Sequence, residues 1–295
     1  MTTPALIVHG GAGAMEHTEA CAAEIAARLH AVVDAAHATL VGAGARAAVI
    51  HAVALLEDDP LFNAGTGAKL QADGVARLSA ALIDSSDGVF SGVINVERVS
   101  NPVAVAERLS RERHHVLAAD GANAFARAQG LPEHDPVTPQ RQREWREARR
   151  GDTGTVGAVA LDAGGVLAAA TSTGGVGHEH PGRVSDSATV AGTYAARQAG
   201  VSMTGIGEQI VSHAAAARIV VRCEDGMALA DAVARSLDEA RRHDWRFGLI
   251  ALDARGAIVA DQVGDVQTMF AARRGEWSTS FAEASRVAHA GGPTA

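Results

Sequence analysis

Aromatic side chains make up only 3% of this 295-residue chain, and cysteine occurs twice. The shortage of aromatics leaves a core built mostly of Ala, Val and Leu, within a hydrophobic share of 47%. With 32 Gly, close backbone packing and many turns are expected. Cys21 and Cys223 fall in helix-like segments without metal-type spacing, so both read as free thiols in a reducing cytoplasm. Positive charge is also in short supply. The formal net charge is -8 and the isoelectric point about 5.9, which argues against a nucleic-acid partner or an anionic membrane surface. No apolar run of about 18 or more residues is free of charge, so no membrane span is expected. Met1-Thr2-Thr3-Pro4 has no basic leader and runs straight into an expected strand.

Several catalytic signatures are missing too. His9-Gly10-Gly11-Ala12 looks like a lipase-type oxyanion loop, but the chain has no G-x-S-x-G elbow to go with it. There is no Walker A motif. Gly42 to Ala47 matches a loose dinucleotide fingerprint but follows a helix, not a strand. His178-Glu179-His180 lacks a third patterned ligand, which makes it a poor metal site.

What is present suggests layers. Ala5 to His9 reads as a buried strand ended by Gly10 to Gly13. Glu19 to Val41 and Ala45 to Leu56 read as Ala-rich helices separated by Gly42-Ala43-Gly44. Leu61 to Gly67 is a tight loop, and Val75 to Ile83 and Gly92 to Val96 are expected strands. Asn101 with Pro102 predicts a capped helix start. A short strand (115–118) and a helix (121–129) precede a charged linker over 131–153. Ala160 to Ala169 and Ala251 to Ala260 predict two hairpins with Asp/Gly turns. Gly207 to Arg222 and Met227 to Arg242 read as helices, and Ala288 to Ala295 as a loose tail. Helices outside antiparallel sheets are the expected arrangement.

Thr155 carries the chemistry. It stands where the charged linker meets an apolar strand, Gly154 to Asp162. A threonine exposed there as a new N-terminus has its own base, an α-amine with a pKa near 8 beside its hydroxyl. Its methyl restricts χ1. Without that exposure, it is simply the first residue of a strand. Arg183 and Asp186 lie three apart after a glycine-rich loop. Such a pair can hold the carboxylate and ammonium of an α-amino acid, or form a plain ion pair. Thr204-Gly205-Ile206-Gly207-Glu208 offers a hydroxyl and bare N–H groups before a helix, suited to developing negative charge or to a simple cap.

Six motifs together resemble the plant-type asparaginase/isoaspartyl aminopeptidase family of N-terminal-nucleophile hydrolases. They are His9–Gly13 (HGGAG), Pro60–Gly67 (PLFNAGTG), Gly154–Asp162 (GTVGAVALD), Ala170–Gly175 (ATSTGG), Pro181–Ser187 (PGRVSDS) and Thr204–Glu208 (TGIGE). The resemblance implies an α+β fold of four layers, an αββα sandwich. It implies self-cleavage between Gly154 and Thr155 into an α subunit (1–154) and a β subunit (155–295), which assemble as (αβ)2. Thr155 would be the nucleophile, with Thr173 and Asn63 beside it. Thr204 and the Gly205 N–H would form the oxyanion hole. Arg183 would hold the substrate α-carboxylate, and Asp186 with the Gly207 carbonyl the α-amine. Main-chain carbonyls of Leu56, Glu57, Asp59, Phe62, Ala64 and Thr66 would hold a structural sodium ion, and catalysis would need no cofactor.

The implied reaction is hydrolysis of asparagine or β-aspartyl dipeptides through a covalent β-aspartyl enzyme in the cytoplasm. A glycosylasparaginase preference and an uncleaved, inactive binding protein are the alternatives. The family pattern is broken by Ile206, Ser185, Ser79, the His178-Glu179-His180 loop and His243 to Arg246. These departures bear on substrate preference more than on the reaction.

Overall fold

The computed structural model describes residues 2–13, 19–147 and 154–289. Its strands are β1 (Ala5–Gly13), β2 (Leu78–Asp84), β3 (Ser91–Val96), β4 (Val116–Ala118), β5 (Val156–Leu161), β6 (Leu167–Thr173), β7 (Thr193–Ala195), β8 (Ala199–Gly205), β9 (Phe247–Asp253), β10 (Ile258–Val263), β11 (Gln267–Arg274), β12 (Trp277–Ser280) and β13 (Val287–His289). The helices are α1 (Glu19–Asp58), α2 (Pro102–Leu109), α3 (Ala119–Ala128), α4 (Pro139–Arg146), α5 (Gly207–His213), α6 (Ala215–Glu224) and α7 (Leu229–Arg241).

Eight strands form one sheet, in the order β12-β11-β1-β5-β6-β2-β3-β4, and five form a second, in the order β13-β10-β9-β8-β7. All pairings are antiparallel except β3 with β4. β1, β5 and β6 pack against β8 and β9 of the smaller sheet, while α1 packs on β1, β5, β6 and β11. α6 and α7 pack on the smaller sheet. β2, β5, β6 and β8 are therefore buried along their whole length, which explains why they read as continuous apolar runs instead of alternating ones. Alanines such as Ala80, Ala158, Ala169 and Ala271 let the layers approach closely. Larger side chains, among them Leu29, Leu56, Phe247 and Phe270, fill the remaining space. Each such burial contributes about 1.5–3 kcal/mol.

α1 contains the break that its glycines predicted. Gly44 takes φ 87°, and Asp162 Oδ2, from the β5–β6 turn, accepts the Ala45 N–H at 3.1 Å and caps the second half. By length and composition alone α1 could cross a membrane, but its break and its seat on the large sheet make it a core helix.

Four expectations change. The helix expected over 207–222 is two, divided at Ala214 in the left-handed region (φ 50°, ψ 44°). Asn101 makes no capping bond for α2; the Val103 N–H instead reaches Glu57 Oε1 at 3.1 Å. The linker contains α4, capped by Thr138 Oγ1 and pinned to the large-sheet side by Trp145 Nε1 to Gln71 O at 3.0 Å. Its residues 148–153 lie outside the described residues. The tail begins with β13, paired to β10, and residues 290–295 are likewise outside.

Candidate functional site

The pairing of β5 with β6 builds the centre. Val156 pairs with Ser172, so the next residues outward, Thr155 and Thr173, stand opposite each other. Thr155 Oγ1 donates to Thr173 Oγ1 at 3.2 Å, and Thr173 Oγ1 donates to the Gly154 carbonyl at 3.2 Å. Asn63 Nδ2 donates to that same carbonyl at 3.0 Å and to Gly175 O at 2.6 Å. The Asn63 amide is fixed further by Lys69 N to Oδ1 at 2.8 Å. Thr155, Thr173 and Asn63 are all buried.

The facing sheet adds Thr204. A Cβ on Gly200 would press Val159 Cγ1, and one on Gly157 would meet Ser202 Oγ. Two residues forward on β8 thus match two residues back on β5, and the next step sets Thr204 over Thr155. Thr204 Oγ1 is buried without a hydrogen-bond partner, which is costly unless a ligand or water meets it. Gly205 takes φ 139°, and a Cβ there would lie 2.6 Å from Phe247 Cα. Only glycine fits that turn.

Arg183, Asp186 and Gly207 also come together. A Cβ on Gly207 would lie 2.8 Å from both Arg183 Nη2 and Asp186 Oδ1. Burial pushes the Asp186 carboxyl up to about 7, against the pull of Arg183, and its Oδ2 has no partner. The Arg183 fork is engaged by Glu208, with Nε at 2.7 Å and Nη2 at 3.0 Å. Burial works against the guanidinium's charge, but Glu208, with Glu179 and Asp186 behind it, outweighs burial and holds its pKa above the usual range.

Three groups of residues escaped the sequence reading. Glu208 was visible only as the last letter of its motif, one residue after Gly207. Gln71 and Asn95 brace the arginine loop: Gln71 Oε1 accepts the Gly182 N–H at 3.3 Å, and Asn95 Nδ2 donates to Arg183 O at 3.1 Å. Ser79, at a position where the family pattern differs, supplies the acceptor for the Asn95 N–H at 3.1 Å. The third group lies beneath Thr155. His9 Nε2 shares a hydrogen with Ser202 Oγ at 2.9 Å, and Ser202 Oγ with Thr171 Oγ1 at 2.7 Å. Burial drives His9 down to about 3, so its ring is neutral. Its Nδ1 approaches the Thr155 main chain but makes no hydrogen bond of ordinary geometry.

The loop after α1 folds back on itself, with Thr66 N to Glu57 O at 2.7 Å and Phe62 N to Asp59 O at 3.1 Å. Gly65, at φ 51°, makes the return, where a Cβ would strike the Glu57 carbonyl. Carbonyl oxygens keep a second lone pair, so the Glu57 and Asp59 carbonyls, each accepting one N–H here, can each accept a further partner. Among the described residues no group of three or more His, Cys, Asp or Glu side chains could hold a metal. His178 stacks on Trp145 with ring centroids 6.1 Å apart.

The asparaginase family profile matches residues 2–153 and 150–281. An isoaspartyl peptidase/L-asparaginase from Synechocystis is 45% identical over 276 residues, covering 87% of this chain and 84% of the relative. A plant-type L-asparaginase from Pyrococcus furiosus is 37% identical, covering 89% and 91%. An isoaspartyl peptidase/L-asparaginase from Xenopus laevis is 34% identical, covering 93% and 91%.

Proposed function

The chain belongs to the asparaginase family, and from that premise we propose that it is an N-terminal threonine amidohydrolase that cuts itself before Thr155 and then hydrolyses asparagine and β-aspartyl dipeptides. The observation that carries this reading is the hydroxyl chain from Thr155 through Thr173 to the Gly154 carbonyl, with Asn63 on the same oxygen. In the uncut chain, the Thr155 hydroxyl attacks the Gly154 carbonyl carbon. Asn63 Nδ2 and Thr173 Oγ1 already aim at the oxygen that gains charge. The acyl group passes from nitrogen to oxygen as the hydroxyl proton passes to nitrogen, which frees the amine of Thr155; water then opens the ester, leaving the Gly154 carboxylate and restoring the Thr155 hydroxyl.

That amine then takes the proton from the Thr155 hydroxyl as it attacks the side-chain carbonyl of the substrate. Thr204 Oγ1, unpartnered, and the Gly205 N–H receive the oxyanion. Arg183 holds the α-carboxylate through the N–H groups that Glu208 leaves free. Asp186 and the Gly207 carbonyl hold the α-ammonium. Ammonia or an amino acid leaves, and water releases aspartate from the ester.

The packing of α1 on the larger sheet and of α6 and α7 on the smaller one supports reading the fold as an αββα sandwich. Within it, residues 1–154 and 155–295 form the two subunits, which pair as (αβ)2 in the cytoplasm. The carbonyls of Leu56, Glu57, Asp59, Phe62, Ala64 and Thr66 would hold a sodium ion that stiffens the turn carrying Asn63. The ion would supply charge to the loop and take no part in bond making.

The test is hydrolysis of asparagine, β-Asp-Leu, α-Asp-Leu and GlcNAc-asparagine by processed enzyme, scored by released aspartate. Asparagine and β-Asp-Leu should be cleaved and α-Asp-Leu spared, because the α-peptide bond ties up the carboxylate that Arg183 reads. Equal rates on α- and β-Asp-Leu would place the head-group pocket wrongly, and a strong preference for GlcNAc-asparagine would reassign the substrate.

A further inference from the structure

We propose that Glu179 selects the leaving group of this reaction by charge, favouring β-aspartyl peptides with a basic leaving residue and disfavouring acidic ones. The inference rests on the reading of Thr155 and Arg183 given above. The loop 174–182 joins Thr173, beside the nucleophile, to Arg183, the head-group reader. That loop is pinned from behind: His178 N donates to Leu70 O and Ala72 N to Glu179 O, both at 2.9 Å. The Glu179 side chain turns back over Gly175, where a Cβ would lie 3.0 Å from its carboxyl carbon. Gly175 is itself part of the centre, since its N–H bonds Thr173 Oγ1 at 3.2 Å and its carbonyl bonds Asn63. The carboxylate is thus one residue from the hydroxyl chain that activates Thr155.

One oxygen of this carboxylate is occupied and the other is open. Oε1 accepts the Val176 N–H at 3.3 Å, while Oε2 is buried without a partner. The Glu179 charge also reaches Arg183, which places it near the substrate's other end. Glu208 holds the Nε–Nη2 edge of the Arg183 fork, so that edge is not shared with Glu179. A carboxylate held beside Gly175, with one oxygen lacking a hydrogen-bond partner, acts by its charge on the group that departs. Asparagine releases ammonia and is little affected. A dipeptide releases an amino acid with its own side chain, and a second carboxylate there meets like charge.

The experiment measures kcat/KM of processed enzyme on β-Asp-Lys, β-Asp-Leu, β-Asp-Glu and asparagine, in the wild type and in Glu179→Gln. Gln keeps the oxygen that accepts from Val176 and removes only the charge. The wild type should rank Lys over Leu over Glu, with the extremes about tenfold apart. Glu179→Gln should bring the three dipeptides within about threefold and leave asparagine within about twofold. Glu179→Lys, checked for an unchanged melting temperature, should reverse the order. An unchanged spread in Glu179→Gln, or the same order in Glu179→Lys, overturns the role of Glu179 and leaves the hydrolase reading intact. Failure of the processed wild type on all four substrates overturns the hydrolase reading itself.

Discussion

Replacing Asp186 with Asn should make the protein more stable and the enzyme far worse. The Asp186 carboxyl is buried, and burial raises its pKa from 3.8 to about 7. A carboxyl whose pKa is raised on folding costs stability as pH climbs from its unfolded pKa to its folded one. At about pH 2, well below both values, the group is protonated in both states and costs nothing. At pH 5 the cost is about 2 kcal/mol, and at pH 8 it levels off at about 4 kcal/mol. Asn has nearly the same shape and cannot ionise, so the difference between variant and parent should grow by about 2 kcal/mol over that range. Denaturant unfolding is best compared in a Thr155→Ala background, where both proteins stay single chains. In the processed enzyme the same substitution should lower kcat/KM for asparagine, because the substrate ammonium loses its carboxylate. A stability difference that is flat with pH, or that shrinks as pH rises, would refute the burial argument. Unchanged kcat/KM would refute the placement of the ammonium.

Arg183→Lys keeps the charge and loses the planar fork, so kcat/KM for asparagine should drop by about 1.5–3 kcal/mol in transition-state terms. Self-cleavage should persist in that variant, since the bond before Thr155 presents no α-carboxylate, and a gel of the purified protein checks this. Asp162→Ala removes the cap on the second half of α1 and should cost about 0.5–2 kcal/mol in denaturant unfolding. Exchanging sodium for tetramethylammonium should lower the melting temperature, because an ion at about 100 times its dissociation constant adds ~2.7 kcal/mol; an unchanged midpoint argues against the carbonyl loop as a cation site.

The sequence was most legible where spacing alone sets geometry. Thr155 and Thr173 face each other because two strands joined by the Asp162 turn must pair antiparallel, and that turn is plain in the letters. Gly44 and Gly205 could be read as breaks because only glycine accepts the backbone they adopt. α4 was missed because its eight residues lack an apolar stripe and depend on Trp145 reaching Gln71. The break at Ala214 was missed because alanine rarely takes a left-handed backbone and nothing local announces it. Glu208 was missed because its partner lies 25 residues away; the charge pair exists only once the loop and α5 are folded together. His9 was seen as a motif letter, but its neutral state follows from burial, and its Ser202 partner lies on the opposite sheet, which no local pattern encodes.

The most direct test of the central claim is the intact mass of the purified chain after incubation, run beside Thr155→Ala. The wild type should resolve into two fragments, the second beginning with Thr155, and the fraction cut should track the rate of aspartate release. Thr155→Ala should remain one full-length chain without hydrolysis. Cleavage of Thr155→Ala at the same bond, or asparagine hydrolysis by a wild type that stays whole, would contradict a nucleophile made by self-cutting.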